Sequence, residues 1–297
     1  MGRARILEGD VLQLGIISDT HMPERWPRMP EAVGQVFAGV DLILHAGDVG
    51  ELWVLDELAR IAPVVAVHGN DDSEEAVREL PYQQLLALGG RRVLLWHSHY
   101  RERAQELAAR QDAWEPILAR LAQRARRGGA EVVVFGHTHV PMLLDHEGVL
   151  LVNGGAIASG NFLTRQRRRS VALMTLEEGQ APVVRHVELA PAPQTASAPQ
   201  TAGTAPFEPW VDLAAGFGAA HARYLDSILA PELRGPLAGL RPDMFEDAQA
   251  VLDAVLPLSH ACWAGEREWI TREALWGVLG EEERGVLAEM LESGEKT

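Results

Sequence analysis

Five short motifs carry side chains that are able to bind metal ions: ISDTH, LHAGDVG, VHGNDD, LLWHSHY and VVFGHTH. Each motif lies at the end of an apolar run that predicts a β-strand. Ligands of open α/β sheets bind beyond the carboxyl ends of the strands, so we expect these side chains to meet at one edge in space. The candidate metal ligands are Asp19, His21, Asp48, Asn70, His97, His137 and His139.

The chemistry of these side chains limits the metals that they would hold. Carboxylates, imidazoles and an amide, without a thiolate, suit a borderline-hard divalent ion such as Mn²⁺, Zn²⁺ or Fe²⁺. Seven candidates exceed the ligands of one tetrahedral ion, so two ions is the economical count. On an extended chain residues two apart share a face, so His137 and His139 would serve different ions only if the chain turns there. Gly47, Gly69 and Gly136 each precede a candidate ligand and would let the backbone turn closely around the ions.

Alternating strands and helices would position these motifs within the first 190 residues. The runs LILHAG, VVAVHGN and VVVFGH are apolar throughout, which is typical of strands covered on both faces. Strands are predicted at Val11–Ser18, Asp41–His45, Pro63–Val67, Gln84–Leu88, Arg91–Trp96, Glu131–Phe135, Met142–Asp145, Val149–Val152, Ser170–Leu176 and Pro182–Val187. Helices are predicted at Pro30–Phe37, Leu52–Arg60, Ser73–Arg78 and Ala113–Arg127. The pattern predicts an α/β layered fold with sheets at its centre and helices outside.

One break in composition divides the chain. Residues 190–209 are rich in Pro, Ala, Thr and Gln and predict a semi-extended linker between a body, residues 1–189, and a tail, residues 210–297. Apolar residues recur at helical spacing in the tail, which predicts a small all-helical region with three or four helices. These helices would form a small core, dock on the body, or pair with a second copy of the chain in a homo-oligomer.

Composition and charge disfavour several classes of protein. The 297 residues are 47% hydrophobic and 23% charged, which excludes wholesale disorder. A net charge of −15 disfavours nucleic acid as a partner. The single cysteine, Cys262, excludes an intrachain disulfide and suits a reducing compartment. Because there is neither an apolar signal core nor a run of the ~20 apolar residues that cross a bilayer, we expect a cytoplasmic protein without a membrane partner.

In this order and spacing, D-x-H, GD, GN, H and GHTH resemble the calcineurin-like metallophosphoesterase superfamily. The short body and the form GNDD are similar to its small bacterial and archaeal phosphodiesterase branch. The resemblance covers roughly Leu12 to Leu189 and implies two facing β-sheets flanked by helices. It implies that one metal is held by Asp19, His21, Asp48 and His139, and a second by Asp48, Asn70, His97 and His137, with Asp48 bridging.

The resemblance also implies an activity, that of a di-metal phosphodiesterase in which a metal-activated hydroxide attacks small, nucleotide-like diesters. Two divalent ions are expected, Mn²⁺ first, with Fe²⁺, Zn²⁺ and Ni²⁺ as alternatives. Asn70 and Asp48 are the catalytic candidates, because Asn70 would hold both metal and phosphate and Asp48 would hold both ions. The competing interpretations are a non-catalytic protein-binding scaffold, the role of a eukaryotic sorting subunit with this fold, and a nuclease. The complete ligand set argues against the scaffold, and the acidic charge argues against the nuclease.

The sequence departs from the family in several places. It has Ser98 between two histidines where the family often reads H-G-H, and residues 153–156 read NGGA where the family often reads N-P-G-S. Asp71 stands where the related GNHE motif has a histidine that protonates the leaving group, so no general acid is assigned. The small family members lack the tail from Trp210 onward.

Other residues have two interpretations each. His99 is a substrate-side candidate or a packing residue, and Arg165 belongs to a run of arginines that either contacts a phosphate or forms a solvated face. Asp72 either caps a helix that starts near Ser73 or orients a metal ligand. His45 is expected to be a core residue.

Overall fold

Two β-sheets form the centre of the fold. The computed structural model describes residues 11–109, 111–158, 168–189, 204–224, 227–237, 240 and 244–294. Its strands are β1 (Leu12–Ile17), β2 (Leu42–His45), β3 (Val64–Ala66), β4 (Gln83–Leu88), β5 (Arg91–Trp96), β6 (Val132–Phe135), β7 (Met142–His146), β8 (Val149–Asn153), β9 (Arg169–Leu176), β10 (Val183–Leu189) and β11 (Thr204–Phe207). One sheet has the order β11-β10-β9-β1-β2-β3, and the other has the order β4-β5-β6-β8-β7. The predicted strands of the body are confirmed to within two residues at each end.

The two sheets pack face to face. Buried side chains of β1 and β2, such as Ile16 and Leu44, form one apolar cluster with side chains of β5 and β6, such as Leu95 and Val134. The strands β1, β2 and β3 are parallel, as are β5, β6 and β8. Parallel order brings the carboxyl ends of these strands to the same edge, as the motifs require.

Helices cover the outer faces of both sheets. They are α1 (Glu31–Val36), α2 (Trp53–Ala59), α3 (Glu74–Glu79), α4 (Arg103–Ala108), α5 (Glu115–Gly128), α6 (Gly216–Tyr224), α7 (Pro231–Leu237), α8 (Ala248–Trp263), α9 (Arg272–Val278) and α10 (Glu281–Gly294). In α5, Leu118, Leu121, Ala122 and Ala125 are buried, and this helical period places the apolar stripe on the second sheet. The predicted two-sheet architecture with outer helices is therefore confirmed. Helix α4 was not predicted, and the described tail has five helices, α6 to α10, where three or four were predicted.

The tail docks on the body, which is one of the three predicted arrangements. Leu252 and Trp263 of α8 belong to the same buried cluster as Val33 of α1 and Val54 of α2. Pro257 lies inside α8 and does not end it. Within the described part of the chain, no helix combines the length and the apolar character needed to cross a membrane.

The predicted linker at 190–209 contains a short strand in its described part. Residues 190–203 lie outside the described residues, but Thr204–Phe207 forms β11, which pairs antiparallel with β10. The open edge of β10 supplies hydrogen-bond partners that do not depend on an apolar period in the sequence. Pro206 is compatible with this strand because β11 lies at the edge of the sheet. The limits of the body and tail remain predictions.

Candidate metal centre

Sharp turns after the strands aim the candidate ligands at one point. Five of them, the residues Asp19, His21, Asp48, His137 and His139, have positive φ angles between 47° and 68°. Such angles are uncommon outside glycine and cluster at functional sites, where the surrounding structure holds them. The turns are held by hydrogen bonds between loops, because the Asp19 amide donates to Gly47 O (3.0 Å) and the His21 amide donates to Asp48 O (3.0 Å).

Two glycines let the loops approach the carboxylates closely. Gly47 has a φ of 89°, and a Cβ added there would lie 2.6 Å from the Cβ of His97. A Cβ added at Gly69 would overlap the Oδ1 atom of Asp48. The glycines predicted to allow a close turn therefore stand where the ligand side chains pass the backbone.

The first group of candidate ligands is compact and buried. The ligand atoms of Asp19, His21, Asp48 and His139 all lie within 4.8 Å of one another. His139 Nε2 is 3.2 Å from Asp19 Oδ1. Burial raises the pKa of Asp19, but the neighbouring His139 outweighs it and brings that pKa to about 2. These are the residues that the resemblance implies for one metal.

His21 provides the test of whether this group fits a cation. Neither ring nitrogen has a hydrogen-bond partner among the described residues, although both are buried. Nε2 lies 3.6 Å from Asp48 Oδ2, which is beyond a hydrogen bond. Burial lowers the pKa of His21 well below its usual range, so the ring is neutral and has a free lone pair. A buried imidazole with an unused lone pair beside two carboxylates fits a divalent cation.

Asp48 also belongs to a second group. Its Oδ2 lies 3.2 Å from His97 Nε2, which in turn lies 3.2 Å from Asn70 Oδ1. The Nδ1 atom of His97 is 2.8 Å from Ala46 O, a contact that leaves Nε2 to face the site. Burial lowers the pKa of His97, but the Asp48 carboxylate outweighs it and raises that pKa to about 10. The buried Asp48 carboxylate therefore favours a positive charge in this half of the site.

His137 lies beside the second group but uses its ring differently. The rings of His137 and His97 are 5.1 Å apart between centroids. His137 Nε2 contacts Glu106 Oε1 at 2.8 Å, and Glu106 belongs to the unpredicted helix α4. His137 and His139 thus face different partners, because the backbone turns at both residues. Sequence reasoning missed Glu106 because it follows no strand.

Comparison with known proteins agrees with this geometry. The family model of the calcineurin-like phosphoesterase superfamily domain matches residues 12–179, which is more than half of the chain. The chain belongs to the calcineurin-like phosphoesterase superfamily. A probable metallophosphoesterase of Methanothermobacter thermautotrophicus is 38% identical over 143 residues, which cover 48% of this chain and 76% of that protein.

Two further comparisons are more distant. A phosphodiesterase of Methanocaldococcus jannaschii is 23% identical over 158 residues, covering 48% of this chain and 83% of that protein. The crystal structure of Vps29 from Chaetomium thermophilum covers 66% of this chain and 96% of its own, with a TM-score of 0.50 and 19% identity. At that identity, the likeness to Vps29 shows the calcineurin-like phosphoesterase fold alone.

The GNDD motif has a structural explanation in this member of the superfamily. The Asp72 carboxylate accepts hydrogen bonds from the Gly50 and Gly69 amides, both at 2.6 Å, and so joins the GD loop to the GN loop. Burial, with the nearby Asp48 charge, raises the pKa of Asp72 to about 6. The cap of α3 is Ser73, whose Oγ accepts from Ala76 N at 3.2 Å. Of the two interpretations of Asp72, the structure favours the one in which it orients the ligand loops.

Asp71 is exposed and pairs with an arginine. Its Oδ2 lies 2.8 Å from Arg25 Nη2, and its Oδ1 accepts from Asn70 Nδ2 at 2.9 Å. The Asp71 amide donates to Asp48 Oδ1 at 2.8 Å. Arg25 comes from the segment that follows the D-x-H motif. The acidic residue that replaces the family histidine is therefore balanced by a positive charge.

The loop NGGA braces the second half of the site. Asn153 Nδ2 donates to Gly136 O at 3.2 Å and to Thr138 Oγ1 at 3.1 Å, on either side of His137. Its Oδ1 accepts from the Gly155 amide at 2.8 Å. Hydrogen bonds from this loop therefore fix the GHTH turn on both sides of His137.

The two substrate-side candidates have different outcomes. Arg165 lies outside the described residues. His99 is buried next to His97, with their ring centroids 5.4 Å apart, and it does not join the ligand groups. Burial, with the charges of His97 and His137, lowers the pKa of His99 to about 3. A contact between His99 and a substrate remains a prediction.

Proposed function

We propose that this chain is a di-metal phosphodiesterase that hydrolyses small, nucleotide-like diesters. The observation that supports this function most is the convergence of two ligand groups on one buried carboxylate, Asp48. The orphaned nitrogens of His21 add support, because a structural histidine would pair them within the protein. The name of the Methanocaldococcus jannaschii relative, a phosphodiesterase, agrees with the substrate class.

The residues would divide the work as follows. One group, Asp19, His21, Asp48 and His139, would hold one ion, and Asp48 with Asn70, His97 and His137 would hold the other. Two divalent cations, with Mn²⁺ expected first and Fe²⁺, Zn²⁺ or Ni²⁺ as alternatives, would supply an activated water and neutralise the phosphoryl oxygens.

Asn70 is the exposed member of the second group. Its Oδ1 is 3.2 Å from His97 Nε2, and its Nδ2 donates to Asp71 Oδ1, so both ends of the amide are fixed. A fixed and exposed amide is placed to orient a phosphate oxygen as well as a cation. The single cysteine agrees with a reducing, cytoplasmic location.

Metal analysis of the purified chain combined with hydrolysis assays tests this proposal. We expect about two divalent ions per chain and turnover of bis-p-nitrophenyl phosphate with Mn²⁺. Asp48→Asn should lose most of the bound metal and nearly all turnover, because the Asp48 carboxylate belongs to both ligand groups. The matched control is Asp56→Asn, an exposed carboxylate of α2 that should change neither.

Two results would reject the proposal. Full metal content in Asp48→Asn would exclude a shared bridging ligand. A chain that binds metal yet hydrolyses none of a panel of diesters, cyclic nucleotides and monoesters would favour the protein-binding scaffold.

A further inference from the structure

A groove of about 570 Å³ is lined by residues of the loop WHSHY and of helices α4 and α5. Three aromatic rings line it, those of Tyr82, Trp96 and Tyr100. This volume lies in the range of small-molecule sites. The groove contains none of the candidate metal ligands and is therefore a separate feature of the molecule.

Four arginines line the same groove: Arg101, Arg120, Arg124 and Arg127. The described residues that line it include no carboxylate. The whole chain has a net charge of −15, so this concentration of guanidinium groups is a local exception. A cleft lined by one sign of charge focuses the field and attracts ligands of opposite charge.

The rings and guanidinium groups are stacked on one another. The guanidinium carbon of Arg101 lies 4.5 Å from the centre of the Tyr82 ring, and that of Arg120 lies 4.0 Å from the Tyr100 ring. Arg120 also donates to the Ser98 carbonyl. Trp96 Nε1 is buried and has no hydrogen-bond partner among the described residues. The groove is therefore lined by a fixed stack of aromatic rings and guanidinium groups.

The groove and the metal centre are built from the same segments. Trp96 and Tyr100 flank the ligand His97 in the loop WHSHY, and the Tyr82 hydroxyl donates to His99 O at 2.6 Å. Helix α4 contributes to both places, because Gln105 lines the groove and Glu106 contacts His137. A ligand in the groove would therefore contact the segments that carry His97 and Glu106.

We infer that this groove binds one nucleotide arm of the substrate, with the base on the stack of rings and guanidinium planes and a second phosphate on Arg124 and Arg127. This inference rests on the proposed function, since the scissile phosphate would lie at the metal centre. The substrate class that follows is a short dinucleotide with a phosphate beyond the diester that is cleaved. Base stacking on aromatic rings tolerates any base, whereas guanidinium groups are suited to phosphate. A long nucleic acid is disfavoured, because the net charge of −15 on the whole chain would repel it.

Equilibrium binding of AMP and adenosine to the metal-loaded chain tests the groove. Arg124 is half-buried and Arg127 is exposed, so Arg124→Gln/Arg127→Gln should fold normally. We expect this paired variant to bind AMP at least about tenfold more weakly, while adenosine binding changes little. The matched control is Arg126→Gln on the same helix, because Arg126 pairs with Glu147 and does not line the groove. AMP affinity in the paired variant within about twofold of the original chain, or an equal loss in the control, would overturn the inference.

A second measurement separates this inference from the proposed function. The kcat/KM of the dinucleotide pApA should exceed that of ApA in the original chain, and the ratio should fall towards one in the paired variant. A chain that turns over no diester but loses AMP affinity in the paired variant would reject the proposed function and support the groove. Diester turnover with an unchanged ratio and an unchanged AMP affinity would reject the groove and leave the proposed function standing.

Discussion

The two halves of the candidate metal centre differ in what surrounds them. Asp19, His21 and Asp48 are almost fully buried, and the segment after them is covered by the tail, where Trp26 packs on Trp263 with ring centroids 4.6 Å apart. On the other half, His97 is buried, but Asn70 is exposed and the side chain of His137 is 23% exposed.

This difference indicates a division of roles. A closed half with orphaned imidazole nitrogens is suited to holding an ion permanently, since water reaches it poorly. An open half that shares the loop WHSHY and helix α4 with the arginine-lined groove is suited to exchanging substrate. The predictions below test this division, beginning with the largest expected effect.

The largest effect should come from the open half. His97→Ala should empty the second ion site and abolish turnover, because His97 Nε2 lies 3.2 Å from both Asp48 Oδ2 and Asn70 Oδ1. His99→Ala is the matched control. It should lower metal affinity or activity by no more than ~100-fold, the upper limit for residues that support a metal ligand from outside. Titration of Mn²⁺ followed by metal analysis measures both. If His99→Ala empties the site and His97→Ala does not, the assignment of ligands in WHSH is wrong.

The closed half should depend on the tail for stability. Trp263→Ala removes a buried ring that packs on Trp26, and such a change typically costs about 3–5 kcal/mol. Urea denaturation measures the free energy of unfolding. The same variant should keep the AMP affinity of the groove, which lies on the other sheet. Unchanged stability would show that the tail does not support the closed half.

The contact between His186 and Asn153, which joins the two sheets, should make the free energy of unfolding depend on pH. His186 in β10 is buried, and its Nε2 contacts Asn153 O at 2.7 Å, behind the GHTH turn. Burial lowers its pKa from 6.5 to about 4, so folding favours the neutral ring. This contribution is complete above pH 6.5 and is lost as the pH falls from 6.5 through 4, because the unfolded chain then binds the proton more readily.

His186→Gln tests this dependence. The free energy of unfolding of the original chain should fall by about 2 kcal/mol more between pH 7 and pH 5 than that of the variant. The two chains should show the same pH dependence above pH 7.5, where the imidazole is neutral in both states. An equal loss at low pH in both chains would exclude His186 as its source.

The strand ends were predictable from the sequence, whereas the features around them were not. The apolar run at Val132–Phe135 and the turn after it identify a buried strand and the ligands that follow. Strands of a buried parallel sheet are continuous apolar runs, which can be recognised from the local sequence. Helix α4 and strand β11 form through contacts with distant segments, and neither has a strong period of its own. Glu106 was missed for that reason. The groove escaped prediction because its residues come from several separate segments that only the fold brings together.

The smallest effect should come from the charge at the mouth of the open half. The sequence alone suggests that an ionised Asp71 repels a monoester dianion more than a diester monoanion. Arg25 Nη2 lies 2.8 Å from Asp71 Oδ2 and offsets that charge, so the original chain should prefer bis-p-nitrophenyl phosphate to p-nitrophenyl phosphate only modestly.

Arg25→Gln would leave the Asp71 charge without its partner. The ratio of diester to monoester kcat/KM should then rise several-fold, which corresponds to about 1 kcal/mol, the upper end for an exposed pair. Arg25→Gln/Asp71→Asn should restore the original ratio, because the two charges are removed together. Higher salt should reduce the difference between the chains, since exposed charges are screened. A preference for the monoester in the original chain would contradict the diester substrate class, and an unchanged ratio in Arg25→Gln would show that the Asp71 charge does not reach the substrate.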